Sequence, residues 1–276
     1  MAKNRLRYFV FDHSCDTVPG FVNGEGTPEG RKIARDVCDE LRRTHAMTAY
    51  FYYALLKAKV VLDNPPGPPI ERTWVHLTAT PRPEPYSDWP RHLYVDLHFD
   101  PMDVLDLPRD KNVLGPLYLK WVDEALAKLA QIDGFPCDVI RAACEEFRAN
   151  RFMYPFKAGH AMIPGTKIKG TIMCYASPEK TTRYLFASFR GRYLFHVKLS
   201  ERDRPDMQFY AHFKGFEREG SVVTVVPGFF DVVSKTHVVP EARLDLADFP
   251  EVFSMMRAKG WCDYVAPPRE PRWYEE

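Results

Sequence analysis

Surplus charge of either sign is missing from this 276-residue sequence: 38 Lys and Arg stand against 37 Asp and Glu, a net charge of +1. That balance excludes a uniformly polybasic coat protein and an acidic disordered tail. Long apolar runs are missing too. The most apolar stretch, residues 46–62, contains Lys57 and Lys59. A bilayer span needs about 20 mostly uncharged residues, so this stretch predicts a core helix. The basic start, Met1 to Arg7, leads straight into a strand pattern rather than an apolar core with a small-residue cleavage site. The six Cys (15, 38, 137, 144, 174 and 262) form no Cys-x-x-Cys pair. Reduced thiols in a soluble, cytoplasmic, bacterial protein are therefore expected, not a disulfide or zinc framework. Gly-x-Gly-x-x-Gly, the phosphate-binding Gly-x-x-x-x-Gly-Lys, Gly-x-Ser-x-Gly and His-Glu-x-x-His are all missing. No catalytic set and no cofactor are expected.

What is present is ordinary globular composition, 45% hydrophobic and 27% charged, in a chain long enough to bury a core without staples. Leu6 to Asp12 predicts a first strand. Thr27-Pro28-Glu29 is a strong helix start: Thr caps, Pro has no N–H to leave unpaired, and Glu favours the first turn. One long helix, broken near Thr48, should run to the Pro-rich loop at Asn64–Pro69. Strands follow at 73–80 and 92–99, then helices capped by Asn112 and started at Phe135-Pro136. Strand, helix, strand, strand is the opening of a ferredoxin-like or related layer. Beyond Asn150, strands are expected at 167–175, 183–189, 193–199, 207–213, 221–226 and 229–239, with a tight turn at Arg190-Gly191-Arg192. A last helix at 249–259 precedes an aromatic tail. The fold class is α+β: an N-terminal β-α-β-β plus helices, packed with a C-terminal antiparallel meander. A single domain, 1–276, is expected, with 1–150 and 151–276 as its natural halves.

The balanced total hides segregation. Residues 84–110 hold seven acids and two bases, a net of −5; residues 151–200 hold nine bases and one acid, a net of +8. Strand alternation puts Arg192, His196 and Lys198 on one face, with Tyr193, Phe195, Val197 and Leu199 on the other. In the 207–213 strand and the residue after it, Tyr210, His212 and Lys214 alternate with Phe209, Ala211 and Phe213. Arg190, Arg192, His196, Lys198, Tyr210, His212 and Lys214 form the expected cationic surface, suited to an anionic partner. Asp96, Asp100, Asp103 and Asp106 form the expected acidic one. Asp96, His98 and Asp100 also alternate on one strand, so they could hold Mg²⁺ or Mn²⁺ if another element supplied a further ligand.

Other motifs are incomplete. Asp12 ends the first strand, where aspartyl-phosphate enzymes keep a nucleophile, but Ser14 stands where a second Asp would be needed. His76-Leu77-Thr78 has no matching His-x-Ser/Thr elsewhere, so spacing alone predicts no acid–base pair. Two functions fit. One is a non-enzymatic protein-binding inhibitor, such as an immunity or antitoxin protein that occludes a toxin by charge complementarity. The other is nucleic-acid binding or metal-dependent nucleic-acid processing on the basic sheet face. A protein partner or a nucleic acid is thus expected, and no membrane.

Overall fold

Thr27 begins the first helix as its residue type dictates, its hydroxyl accepting the Gly30 N–H at 3.1 Å. The computed structural model describes residues 5–13, 17, 21–22, 25–64, 67–203, 213–228, 230–231, 236–237 and 242–264. The fold is α+β, and the chain divides into two compact units. The first is Met1–Tyr154 with the short returns Ala176–Thr181 and Asp203–Met207; the second is Pro155–Tyr175, Thr182–Arg202 and Gln208–Glu276.

The first unit runs β1 (Tyr8–His13), β2 (Phe21–Val22), β3 (Glu25–Gly26), α1 (Pro28–Leu41), a 3₁₀ turn at Arg42–Thr44, and α2 (His45–Ala58). β4 (Leu62–Asn64), β5 (Gly67–Ile70), β6 (Arg72–Thr78), β7 (His92–His98), α3 (Met102–Leu105), α4 (Lys111–Leu129) and α5 (Cys137–Ala149) follow. The break in the expected long helix falls at the 3₁₀ turn, just before Thr48. The cap of α4 is Asp110, whose carboxylate accepts the Asn112 N–H at 2.8 Å, so Asn112 is the capped residue rather than the cap.

β1, β6 and β7 form a parallel sheet in that order. A ferredoxin-like hairpin between the last two does not form. The connection at 79–91 is too long for a tight turn; it returns along the free edge of β7, where Tyr86 bridges Tyr94 antiparallel. One face of the sheet packs on helices. Phe9 meets Phe51 of α2 at 5.2 Å between ring centres, and Phe11 and Phe99 meet Trp121 of α4 at 6.0 and 5.7 Å. Val75, Leu77, Leu93, Val95 and Leu97 on the same face are all buried. Burial of this layer stabilises the unit by about 25 cal/mol per Å² of apolar surface removed from water. Parallel strands normally read as continuous apolar runs because both faces are covered. Here they alternate, and the second face carries polar and aromatic side chains.

The second unit holds β8 (Tyr154–Met162, whose first residue belongs to the first unit), β9 (Ile168–Ala176), β10 (Thr181–Phe189) and β11 (Arg192–Arg202), an antiparallel meander in the order β11-β10-β9-β8. Its connections are too short for parallel crossovers. Arg190 and Gly191 have φ of 50° and 78°, the left-handed pair of a two-residue hairpin turn. β8 was not expected from its sequence because it contains Pro155 and Gly159. It is an edge strand, where a missing N–H costs little.

β12 (Phe213–Glu219), β13 (Val222–Pro227) and β16 (Ala242–Asp245) make a three-stranded antiparallel sheet, and β14 (Phe230–Asp231) pairs with β15 (Thr236–His237). α6 (Pro250–Ala258) follows. Phe216 of β12 lies against Gly170 of β9, and Phe249 stacks on Phe195 of β11 at 3.9 Å. The inner face of the meander is thereby filled. The buried Arg218 donates to Gly220 O at 2.6 Å, to Pro164 O at 3.0 Å and to Trp261 O, which fastens the segment after α6 to the sheet.

Candidate functional site

Two surfaces gather chemistry, one in each unit. In the second unit, strand alternation sends Ile168, Ile172, Cys174, Leu185, Ala187 and Phe195 inward, all buried. The alternate residues face outward: Tyr175 of β9, Tyr184 and Phe186 of β10, and His196 of β11. Their rings form a continuous array. Tyr175–Tyr184 centres are 5.8 Å apart, Tyr184–Phe186 6.2 Å, and Phe186 and His196 stack at 5.4 Å with planes 22° apart. The three larger rings are half-exposed and His196 is exposed.

Cations frame this array. Lys169, Arg192 and Lys198 occupy the same outward register and are exposed. Lys198 pairs with Glu201 at 2.7 Å, an exposed contact that exchanges at little cost. On neighbouring β8, the charges of Lys157 and then Lys169 lower the pKa of the exposed His160 imidazole. Tyr193, expected to face the core, is 56% exposed, with its hydroxyl 2.6 Å from His196 Nδ1. Arg190 sits in the hairpin turn with its guanidinium over the Phe189 ring at 5.3 Å. Lys214 belongs to β12, in the three-stranded sheet of this unit. Tyr210 and His212 lie outside the described residues.

In the first unit, the second face of the parallel sheet carries Asp12 of β1, Trp74, His76 and Thr78 of β6, and Tyr94, Asp96 and His98 of β7. The register aligns Asp12, His76 and Asp96 in one row, and Thr78 with His98 in the next. Asp96 is 4% exposed. Its Oδ1 accepts the Tyr86 hydroxyl at 2.9 Å, its Oδ2 accepts the Arg82 backbone N–H at 3.0 Å, and His76 Nδ1 lies 3.2 Å from Oδ1. Lys128 of α4 donates to the Asp96 carbonyl at 2.7 Å. Tyr86 stacks on Tyr94 at 5.3 Å under the Arg82 guanidinium. Burial, then the hydrogen bond to Asp96, push the Tyr86 hydroxyl well above the ordinary tyrosine range, so it stays a donor.

Asp96 is therefore occupied by protein donors. His98 Nδ1 lies 3.2 Å from Ala79 O, and Asp100 Oδ1 accepts the Met102 N–H at 2.9 Å. Among the described residues no group of three or more His, Cys, Asp and Glu is arranged to hold a metal. Asp100, Asp103 and Asp106 are exposed around α3. A cavity of about 280 Å³ opens at the carboxyl ends of β6 and β7, lined by Thr17, Ala79, His98 and Asp100 among others. Ligands of open α/β sheets bind at that end.

The outward rings Tyr175, Tyr184 and Phe186 are not among the residues that sequence alone singles out. The β10 alternation of buried Arg183, Leu185 and Ala187 was the available signal. His76 was seen but its partner was not, since Asp96 lies 20 residues on and only the parallel register joins them. No helix among the described residues is long and apolar enough to cross a membrane. Comparison with protein-family models, with curated proteins and with solved structures finds no match.

Proposed function

We propose that this protein binds single-stranded nucleic acid on the outer face of β9, β10 and β11. The observation that carries the reading is the ring array Tyr175–Tyr184–Phe186–His196 between Lys169, Arg192 and Lys198. Every base has a π face, so exposed aromatic rings on a sheet accept unpaired bases without needing a sequence. The cations meet the phosphates between them. A duplex hides its base faces and could use only the cations, so single strands should be preferred.

The test is fluorescence anisotropy with a labelled 20-mer of U or T at low salt. Each base–ring stack is worth about 1–3 kcal/mol, so Phe186→Ala and Tyr184→Ala should each weaken binding by about 5- to 150-fold. Three contacted phosphates give a slope of about −2 in log K against log salt. No anisotropy change at low salt, or ring variants that bind like the parent, would overturn the reading. Tight binding to a protein with no response to oligonucleotide would point to the protein-inhibitor alternative.

A further inference from the structure

The nucleic-acid reading leaves the first unit's polar sheet face without a task, yet two of its three histidines, His76 and His98, each turn Nδ1 to a fixed acceptor. The Ala79 carbonyl can only accept a hydrogen bond, so Nδ1 of His98 at 3.2 Å must carry the proton. The Asp96 carboxylate imposes the same on Nδ1 of His76 at 3.2 Å. In each neutral ring the lone pair is then on Nε2, away from the fastening partner. Asp96 is itself held by the Tyr86 hydroxyl and the Arg82 N–H, so His76 is fixed by a rigid, buried carboxylate while its own side chain stays 27% exposed. His98 is exposed beside the cavity at the strand ends.

The register makes them neighbours. Thr78 pairs with His98, and His76 lies two residues back on β6, on the same face. A rise of about 3.3 Å per residue and about 4.8 Å between strands puts the two Cα atoms roughly 8 Å apart. Two imidazoles at that separation can reach opposite oxygens of one phosphodiester. Arg82, with a 56% exposed side chain that stacks on Tyr86 at 3.9 Å and pairs with the exposed Asp88 at 3.4 Å, is a cation near Asp96 able to turn to a phosphate.

We propose that His76 and His98 form an acid–base pair that cleaves RNA by internal transesterification, with Asp96 as the positioning residue for His76. The choice of RNA rests on the nucleic-acid reading above. His76 Nε2 takes the proton of the ribose 2′-hydroxyl. The 2′-oxygen bonds to phosphorus, the bond from phosphorus to the 5′-oxygen breaks, and that oxygen takes a proton from His98 Nε2 in its imidazolium form. The products are a 2′,3′-cyclic phosphate and a 5′-hydroxyl; nothing is oxidised or reduced. The carboxylate of Asp96 stabilises the imidazolium formed on His76, the part a buried carboxylate plays behind a catalytic imidazole.

The full-length protein is incubated with the dinucleotide UpA in EDTA, and products are identified by mass. UpA is too short to span the ring array, so it tests this site apart from the platform. Cleavage to uridine 2′,3′-cyclic phosphate and adenosine is expected, with none for the 2′-O-methyl analogue. Positioned general acids and bases contribute about 10²–10⁴-fold, so His76→Asn and His98→Gln should each lose at least about 100-fold. Asn keeps an N–H for Asp96, which preserves the fold; His98 is exposed, so its variant reports even if His76→Asn is destabilised. Added imidazole should restore part of the activity of His76→Gly. No cleavage of UpA, or cleavage that survives both substitutions, overturns the acid–base pair. Binding of the 20-mer without UpA cleavage sinks this inference alone; UpA cleavage without 20-mer binding sinks the platform alone.

Discussion

Replacing Arg43 with Met should be among the most damaging single changes in the first unit. Arg43 is 3% exposed and lies at the 3₁₀ turn between α1 and α2. One guanidinium nitrogen donates to Pro178 O at 3.0 Å, Glu179 O at 2.9 Å and Asp203 O at 2.8 Å. The same side chain faces Glu40, itself 5% exposed, at 2.6 Å. Met fills much of the volume but makes none of these contacts. Three carbonyls lose a partner, at about 1 kcal/mol each. Among the described residues Glu40 then keeps Arg109 as its ion-pair partner, at 2.7 Å, with a side chain that is 66% exposed. Orphaning one partner of a buried pair costs about 3–5 kcal/mol. Together these come to about 6–8 kcal/mol, and at about 2–4 °C per kcal/mol Tm should fall by about 12–32 °C in a thermal melt followed by circular dichroism. The sign of coupling is the sharper test. Glu40→Leu combined with Arg43→Met removes the uncompensated carboxylate, so the double variant should melt higher than Arg43→Met alone. A single variant within about 1 kcal/mol of the parent would refute the reasoning. So would a double variant as damaged as the sum of its singles.

Two further outcomes follow from buried groups. Burial, then the charge of Arg42, lower the His45 pKa from 6.5 to about 4. Its folded pKa lies below its unfolded one, so its stabilising contribution is whole above pH 6.5 and is lost as pH falls through about 4. The loss amounts to about 3 kcal/mol, and urea unfolding midpoints at pH 7 and pH 4 should show His45→Gln losing less than the parent over that range. In the second unit a methyl at Gly170 would overlap the Phe216 ring and crowd Leu185. Gly170→Ala should cost about 1–3 kcal/mol by overpacking, and Phe216→Leu in the same chain should recover part of it; additive losses in a melting curve would contradict that contact.

Local signals carried much of the fold. Thr27-Pro28 set the start of α1 because a side-chain cap and a proline at the first helical position act within one turn. Arg190-Gly191 set the β10–β11 turn because only a left-handed pair joins strands that closely. Alternation placed Arg192, His196 and Lys198 on one outward face. Where the outcome depended on a distant neighbour, the sequence was mute or misleading. Pro155 disguised β8, since whether a strand tolerates proline depends on its being an edge. Alternation in 183–189 put Tyr184 and Phe186 on one face without saying which face is covered; that was decided by Phe216 and Phe249 arriving from other elements.

The candidate chemistry divides in the same way. Charge segregation, the outward cations and the presence of His76, Asp96 and His98 are properties of the sequence alone, because they need only composition and a period of two. The pairing of His76 with Asp96, and of Thr78 with His98, exists only once β6 and β7 lie parallel and in register. A hairpin between the same strands would have run β7 the other way and brought different residues beside His76. The direction was decided by the 79–91 connection returning along the outer edge through the Tyr86–Tyr94 bridge, a long-range contact that no local pattern encodes.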